Sequence, residues 1–197
     1  AISPIVVDIE TAPLPNAADY FDPVEQDKRL VDPAKIAANI AEKTAAQQDK
    51  ASLDYNVGRI IALAYWIEET DMRVCVCLSE ADEIAALNEF WQHAKYRTIV
   101  GFCITTFDLP WMIQRSRYLN VAHPLLDLGR YAKQGIVELY ALLTFNNTHD
   151  TYVMRRTLQN FARRFGIPCD DAITGRDIQP LVKAEQWDQI RAHAESD

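Results

Sequence analysis

Hydrophobic positions along the chain come in short bursts with distinct periods. Ile5–Ile9 is apolar except at Asp8 and predicts a strand. Residues 16–56 differ in texture, being polar, Ala-rich and poor in large side chains, which predicts a helical insertion after the first strand. Within it, Asp32 as N-cap and Pro33 in the first turn open a helix over Ala34–Ala51. Only Ile36 and Ile40 make an apolar seam there, so the helix is expected to be peripheral. Arg59–Ile67 and Arg73–Leu78 are β-rich and joined by a polar turn, the pattern of a hairpin. Ser79 and Asp82 resemble a capping box for a helix carrying Ile84, Leu87, Trp91 and Ala94. Thr98–Phe102 predicts another buried strand, followed by a helix after Asp108 and Pro110. Leu125–Leu128 is short and apolar. Leu158, Phe161, Ala162 and Phe165 mark an amphipathic helix ending at Gly166, and a last helix is expected from about Glu185 onward.

This order predicts an α/β fold with a mixed sheet flanked by helices. The 197 residues suit one domain, 1–197, with the insertion as an arm and not a second unit. Hydrophobic residues make up 49% and charged residues 24%, which excludes disorder over the whole chain. No apolar run approaches the roughly 20 residues that span a bilayer, so no membrane partner is expected. The chain opens almost directly on a strand, so no signal peptide is expected.

Four cysteines lack the paired Cys-x-x-Cys spacing of a zinc site. Cys75 and Cys77 alternate on one strand face, and reduced thiols fit a cytoplasmic setting. Trp66, Trp91, Trp111 and Trp187 occupy apolar patterns and are expected in the core. His93, His123 and His149 lack ligand-like spacing.

Candidate chemistry begins at Asp8 and Glu10. Their spacing puts two carboxylates on one face of an apolar strand, near its end. Burying unpaired carboxylates together is costly, so a divalent cation such as Mg²⁺ or Mn²⁺ between them is one reading. A strand end emerging into solvent is the other. Asp108 follows a buried strand and a loop, where it could equally cap the helix it opens. His193 and Asp197 share one helical face, as surface pairs often do.

Taken in order, these segments resemble the DEDD (DnaQ-like) 3′–5′ exonuclease superfamily. Val6–Thr11 is similar to its first motif, Val100–Trp111 to its second and Arg191–Asp197 to its third. The segment Thr157–Pro168 is similar to the helix and Gly-Ile-Pro turn before the third motif. The nearest likeness is to predicted exonucleases related to the proofreading domain of family B DNA polymerases. Asp32-Pro33, Leu53-Asp54 and Gly58-Arg59-Ile60 contribute to it.

The resemblance implies a ribonuclease H-like fold and a 3′–5′ exonuclease that releases nucleoside 5′-monophosphates from single-stranded 3′ ends, with DNA ahead of RNA. It implies two divalent ions, Mg²⁺ or Mn²⁺, held by Asp8, Glu10, Asp108 and Asp197. It leaves open a replication or repair partner. His193 has the spacing of the superfamily's Tyr branch with the residue of its His branch, and is the expected general base or water orienter. Cys103 stands where relatives often carry Asn, and a thiol lacks the amide's donor and acceptor pair. These two departures motivate a rival reading, a weak or inactive nucleic-acid-binding or scaffold module on the same fold. Thr11, Ala12, Leu14 and Phe107 are the expected substrate contacts, with core packing as the alternative for Leu14 and Phe107. Arg155, Arg156, Arg163 and Arg164 form the densest basic cluster, a phosphate-tracking edge or a solvated helix face.

Charge changes the picture last. The net charge of −8 opposes broad duplex binding. Two divalent ions on four carboxylates would leave about −4, and charge acts little beyond a screening length of about 8 Å. Acidity is therefore compatible with a local grip on one strand end. The natural chain is expected to continue past Asp197, because a ligand on a terminal residue would fray.

Overall fold

A computed structural model describes residues 2–68, 70–129, 135–145, 156–169 and 172–196. Five strands form one mixed sheet: β1 (Ile5–Pro13), β2 (Gly58–Ile67), β3 (Arg73–Val76), β4 (Ile99–Gly101) and β5 (Ile136–Glu138). Their order is β3-β2-β1-β4-β5. β1 pairs antiparallel with β2 and parallel with β4, β2 with β3 is antiparallel, and β4 with β5 is parallel. The helices are α1 (Pro33–Lys50), α2 (Glu80–Ala94), α3 (Asp108–Tyr118), α4 (Leu139–Leu143), α5 (Leu158–Arg164), α6 (Gly175–Lys183) and α7 (Trp187–Ser196). Among the described residues, no helix is long and apolar enough to cross a membrane.

Strand alternation sends Ile5, Val7 and Ile9 to one sheet face, where Leu87, Phe90 and Trp91 of α2 and Leu109, Trp111 and Met112 of α3 complete the main core. The opposite face is smaller. Ala62, Ala64 and Val74 meet Ile178 of α6 and Ile190 and Ala194 of α7 there. A bulge between Glu10 and Thr11 leaves Ile61 of β2 as the extra residue. As a result Ile60 and Leu63 both reach the main core, while Ile61 and Ala62 both reach the second.

Local signals behave as the chain's pattern predicts. Asp32 Oδ1 accepts the Ala34 amide at 2.9 Å, and Pro33 begins α1. No residue of α1 is fully buried, so it is the expected peripheral arm. Ser79 and Asp82 close a reciprocal capping box on α2. α5 ends in the left-handed Gly166, whose amide donates to Arg163 O while Ile167 donates to Ala162 O, a Schellman ending. Cys75 and Cys77 both pack on the main core, and no disulfide joins any of the four cysteines.

Several expectations need correction. Trp66 is 40% exposed, because it lies on the smaller face beyond the reach of α7 and its indole donates to Thr70 O. Trp187 is only partly buried. The last helix starts at Trp187, since Glu185 adopts φ 55° and separates α7 from α6. Leu125–Leu128 is extended loop, with Leu125 solvent-exposed and Leu126 and Leu128 against the core. The short β5 and α4 have no counterpart in the expected elements, because three- to five-residue segments carry too little periodicity; α6 has none either, being amphipathic but short and interrupted by Pro180.

β4 approaches β1 so closely that glycine is required at Gly101. A Cβ there would lie 2.9 Å from Val7 O and 2.8 Å from Ile104 Cδ1. The Val7 carbonyl is held in the sheet and cannot give. Gly101→Ala is expected to cost about 1–3 kcal/mol by overpacking. Urea denaturation reads this as a lower midpoint at unchanged slope.

Candidate active site

The carboxylates converge where β1 and β4 part. Ladder pairing between these strands runs through Ile5↔Ile99 and Val6↔Val100. Ile5 N–H points toward the β4 side and donates to Thr98 O at 2.9 Å. Ile9 N–H, four residues on, points the same way with no strand beside it. Asp108 Oδ1 accepts it instead, at 3.2 Å. Asp108 therefore does not cap α3 as an N-cap; it is that helix's first residue, with Phe107 in the cap position. Its side chain reaches sideways to the end of the sheet.

Asp8 and Glu10 lie on the smaller face, opposite Ala64 and Ala62 of β2. Those methyl groups leave room above the carboxylates, and α7 fills part of it. His193 of α7 is 2% exposed and puts Nε2 3.1 Å from Glu10 Oε1. His193 is therefore not a surface residue: it makes a buried contact with Glu10 on the sheet face that α7 covers. Asp197 lies outside the described residues, as do His149 and Arg155.

Asp108 is 3% exposed. Burial drives its pKa up from the ordinary 3.8 to about 7, and the charges of Glu10 and Glu138 push the same way, against the lowering pull of the backbone amides. Among the described residues, no group of three or more His, Cys, Asp or Glu is drawn together closely enough to hold a metal ion as it stands. The donor chemistry nevertheless fits a hard divalent cation. It is a set of carboxylate oxygens, one of them held near neutrality by burial among like charges, a cost that a cation removes.

The other expected residues are engaged in packing. Thr11 is buried and its hydroxyl donates to Ser52 O at 2.6 Å. Ala12 is 1% exposed in the second core. Leu14 packs, partly buried, on Ala17, Ala51 and Val57 at the base of the arm. Phe107 packs on the main core with its ring 5.9 Å from that of Trp111. Arg156, Arg163 and Arg164 are exposed. His93 stacks near Tyr65 and His123 near Trp91, away from the carboxylates in sequence and role.

The left-handed backbone of Cys103 and the part played by Glu138 are not legible in the sequence. Cys103 adopts φ 59°, a left-handed conformation that Asn tolerates better than most residues, so the backbone there matters as much as the side chain. Glu138, at the end of β5, receives four hydrogen bonds. Its signal in the sequence is only an acidic residue after the β-branched pair Ile136-Val137.

A family model described as the exonuclease domain of family B DNA polymerases matches residues 8–159, which begin on Asp8 and include Glu10 and Asp108. Among solved structures, the chain is similar to the family B DNA polymerase from the hyperthermophilic archaeon Pyrobaculum calidifontis, at 15% identity and a TM-score of 0.59. That likeness covers 98% of this chain and 23% of the polymerase chain, so the chain spans under a quarter of that protein's length. At this identity the likeness establishes the fold, and the mixed sheet flanked by helices is ribonuclease H-like, as expected. A comparison with curated proteins finds no match.

Proposed function

Because the chain belongs to the exonuclease domain family of family B DNA polymerases, a family of 3′–5′ exonuclease domains, we propose that it hydrolyses single-stranded DNA from the 3′ end and releases nucleoside 5′-monophosphates. The observation that carries this reading is that two further elements contact β1 around Asp8 and Glu10: Asp108 at the start of α3 accepts the Ile9 amide between them, and His193 of α7 lies against Glu10.

Divalent ions held by Asp8, Glu10 and Asp108 would supply a water acidic enough to attack phosphorus at neutral pH and a charge that offsets the leaving 3′ oxygen. The chain's own residues prepare that site. Asp8 and Glu10 are fixed on one strand face by the ladder with β2. Asp108 is fixed by the Ile9 amide, and its proton, favoured by burial near neutral pH, must leave before the carboxylate can bind a cation. His193 Nε2 is engaged with Glu10 Oε1, so its first role in this geometry is to orient Glu10. Leu14 and Phe107 keep partial exposure next to the carboxylates in sequence, and we assign them contact with the terminal nucleotide.

A 5′-labelled single-stranded oligonucleotide tests the reading. The expected result is a ladder of shortened products that needs Mg²⁺ or Mn²⁺ and disappears in Asp8→Ala. Intact oligonucleotide with either metal, or binding without turnover, would instead favour a binding module. Matched DNA and RNA oligomers decide the substrate, since a contact to the 2′-hydroxyl separates them.

A further inference from the structure

Glu138 uses both carboxylate oxygens on the loop that leads into Asp108. Oε1 accepts the Cys103 amide at 2.7 Å and the Tyr140 amide at 3.0 Å. Oε2 accepts the Thr105 amide at 3.1 Å and the Thr105 hydroxyl at 3.0 Å. The loop it holds is unusual. Cys103 is left-handed, and its carbonyl accepts the amides of both Thr106 and Phe107 at 3.0 Å. Chain direction therefore turns sharply between β4 and α3, and no regular ladder supports the turn. Among the described residues, Glu138 reaches this loop from outside it, being fixed on β5 by the pairing Gly101↔Glu138. It also caps α4, so its own backbone is held from both sides.

We propose that Glu138 is a positioning residue for the cleavage reaction: it pins the Cys103–Thr105 turn to the sheet edge and so sets where Asp108 stands relative to Asp8 and Glu10. Its charge and its two-sided geometry are both needed. A glutamine at this position keeps one acceptor oxygen but turns an NH₂ group toward an N–H donor, which forces the turn open. A buried amide left without an acceptor is costly, and the turn relaxes to recover one. The functional consequence rests on the exonuclease reading above, whereas the restraint on the turn does not.

Two measurements on the full chain separate these. Hydrogen exchange on metal-free protein reads the restraint alone. In Glu138→Gln the amides of residues 103–107 are expected to exchange at least about tenfold faster, with β1 and β2 unchanged. Mn²⁺ titration and single-turnover cleavage read the consequence. Glu138→Gln is expected to weaken Mn²⁺ binding and slow cleavage by about 10–100-fold, the usual effect of losing a group that holds ligands in place, with the KM for oligonucleotide little changed. Thr105→Val should show a smaller loss of the same kind, and Thr105→Ser, which restores the hydroxyl, should recover it. Unchanged exchange at residues 103–107 in Glu138→Gln overturns the proposal. So does a loss of binding in Glu138→Gln that only tracks a fall in Tm, and so does a Thr105→Ser protein as impaired as Thr105→Val. If the unaltered chain neither binds Mn²⁺ nor cleaves, the exonuclease reading falls, and the exchange result still decides whether Glu138 pins the turn.

Discussion

Asp108→Asn is expected to reduce exonuclease turnover at least about a thousandfold while making the metal-free protein more stable at neutral pH. The two effects share one cause. A carboxylate that binds a catalytic cation contributes through charge, and charge stabilisation by the metal is worth several kcal/mol, of which about 4 kcal/mol is a thousandfold in rate. Without metal the same carboxylate is a liability. Its folded pKa is raised from 3.8 to about 7, chiefly by burial. Between about pH 4 and pH 7 the folded chain keeps a proton that the unfolded chain has released. The contribution of this group to stability is therefore fully present below about pH 4 and is lost as pH rises through about 7. Asparagine has no proton to lose, and its carbonyl oxygen can still accept the Ile9 amide. Melting curves in chelator should show equal Tm for the two proteins near pH 4 and an advantage for Asp108→Asn that grows up to about pH 7 and levels off above it. A saturating divalent cation should reverse that order. A variant less stable than the parent at pH 8 in chelator would contradict the account, and so would one that retains full cleavage.

Removing Arg115 is expected to cost more in stability than any other change discussed. Arg115 of α3 and Glu83 of α2 form a two-point ion pair at 2.8 Å on each arm, and their side chains are 4% and 2% exposed. Glu83 Oε1 also accepts the Ile60 amide at 3.0 Å, just past the bulge where β2 leaves the register of Glu10. The pair thus ties both helices of the main core to the strand beside the active site. Arg115→Leu leaves Glu83 buried with no compensating charge, a situation that typically costs about 3–5 kcal/mol. The pair itself is not a large source of stability, because desolvating two ions consumes most of their attraction. Glu83→Gln combined with Arg115→Leu should accordingly recover more than half of the loss, since the glutamine oxygen still serves Ile60. Urea titration of the two single variants and the double variant measures this coupling. A double variant as unstable as Arg115→Leu would show that the charge on Glu83 is not the cause.

Much of the site's first half could be read from the chain. Asp8 and Glu10 are two apart in an apolar run, and a period of two allows one conclusion about their faces. The boundaries of α1 and α2 followed from Asp32-Pro33 and Ser79…Asp82 because capping is local chemistry. Asp108 was visible as a carboxylate at a strand-to-helix junction but not as a buried one, because nothing in Phe107-Asp108-Leu109 states that the Ile9 amide lacks a strand partner. His193 illustrates the same limit. On its own helix it pairs with Asp197 by spacing, yet docking of α7 on Ala62 and Ala64 buries it against Glu10. Glu138 carried no readable signal, since β5 is three residues long and its role depends on pairing with Gly101.

The chain by itself determined the alternation of β1 and the caps, which depend on residues within a few positions of one another, and the α/β order and the order of the acidic motifs, which are read directly along it. Only the tertiary structure decided that Glu10 meets His193, that Asp108 is dehydrated enough to titrate near neutrality and that Glu138 bonds the turn between β4 and α3. Those outcomes depend on sheet order and helix docking. Desolvation and through-space charge act over ångströms in space, and spacing along the chain does not encode that distance.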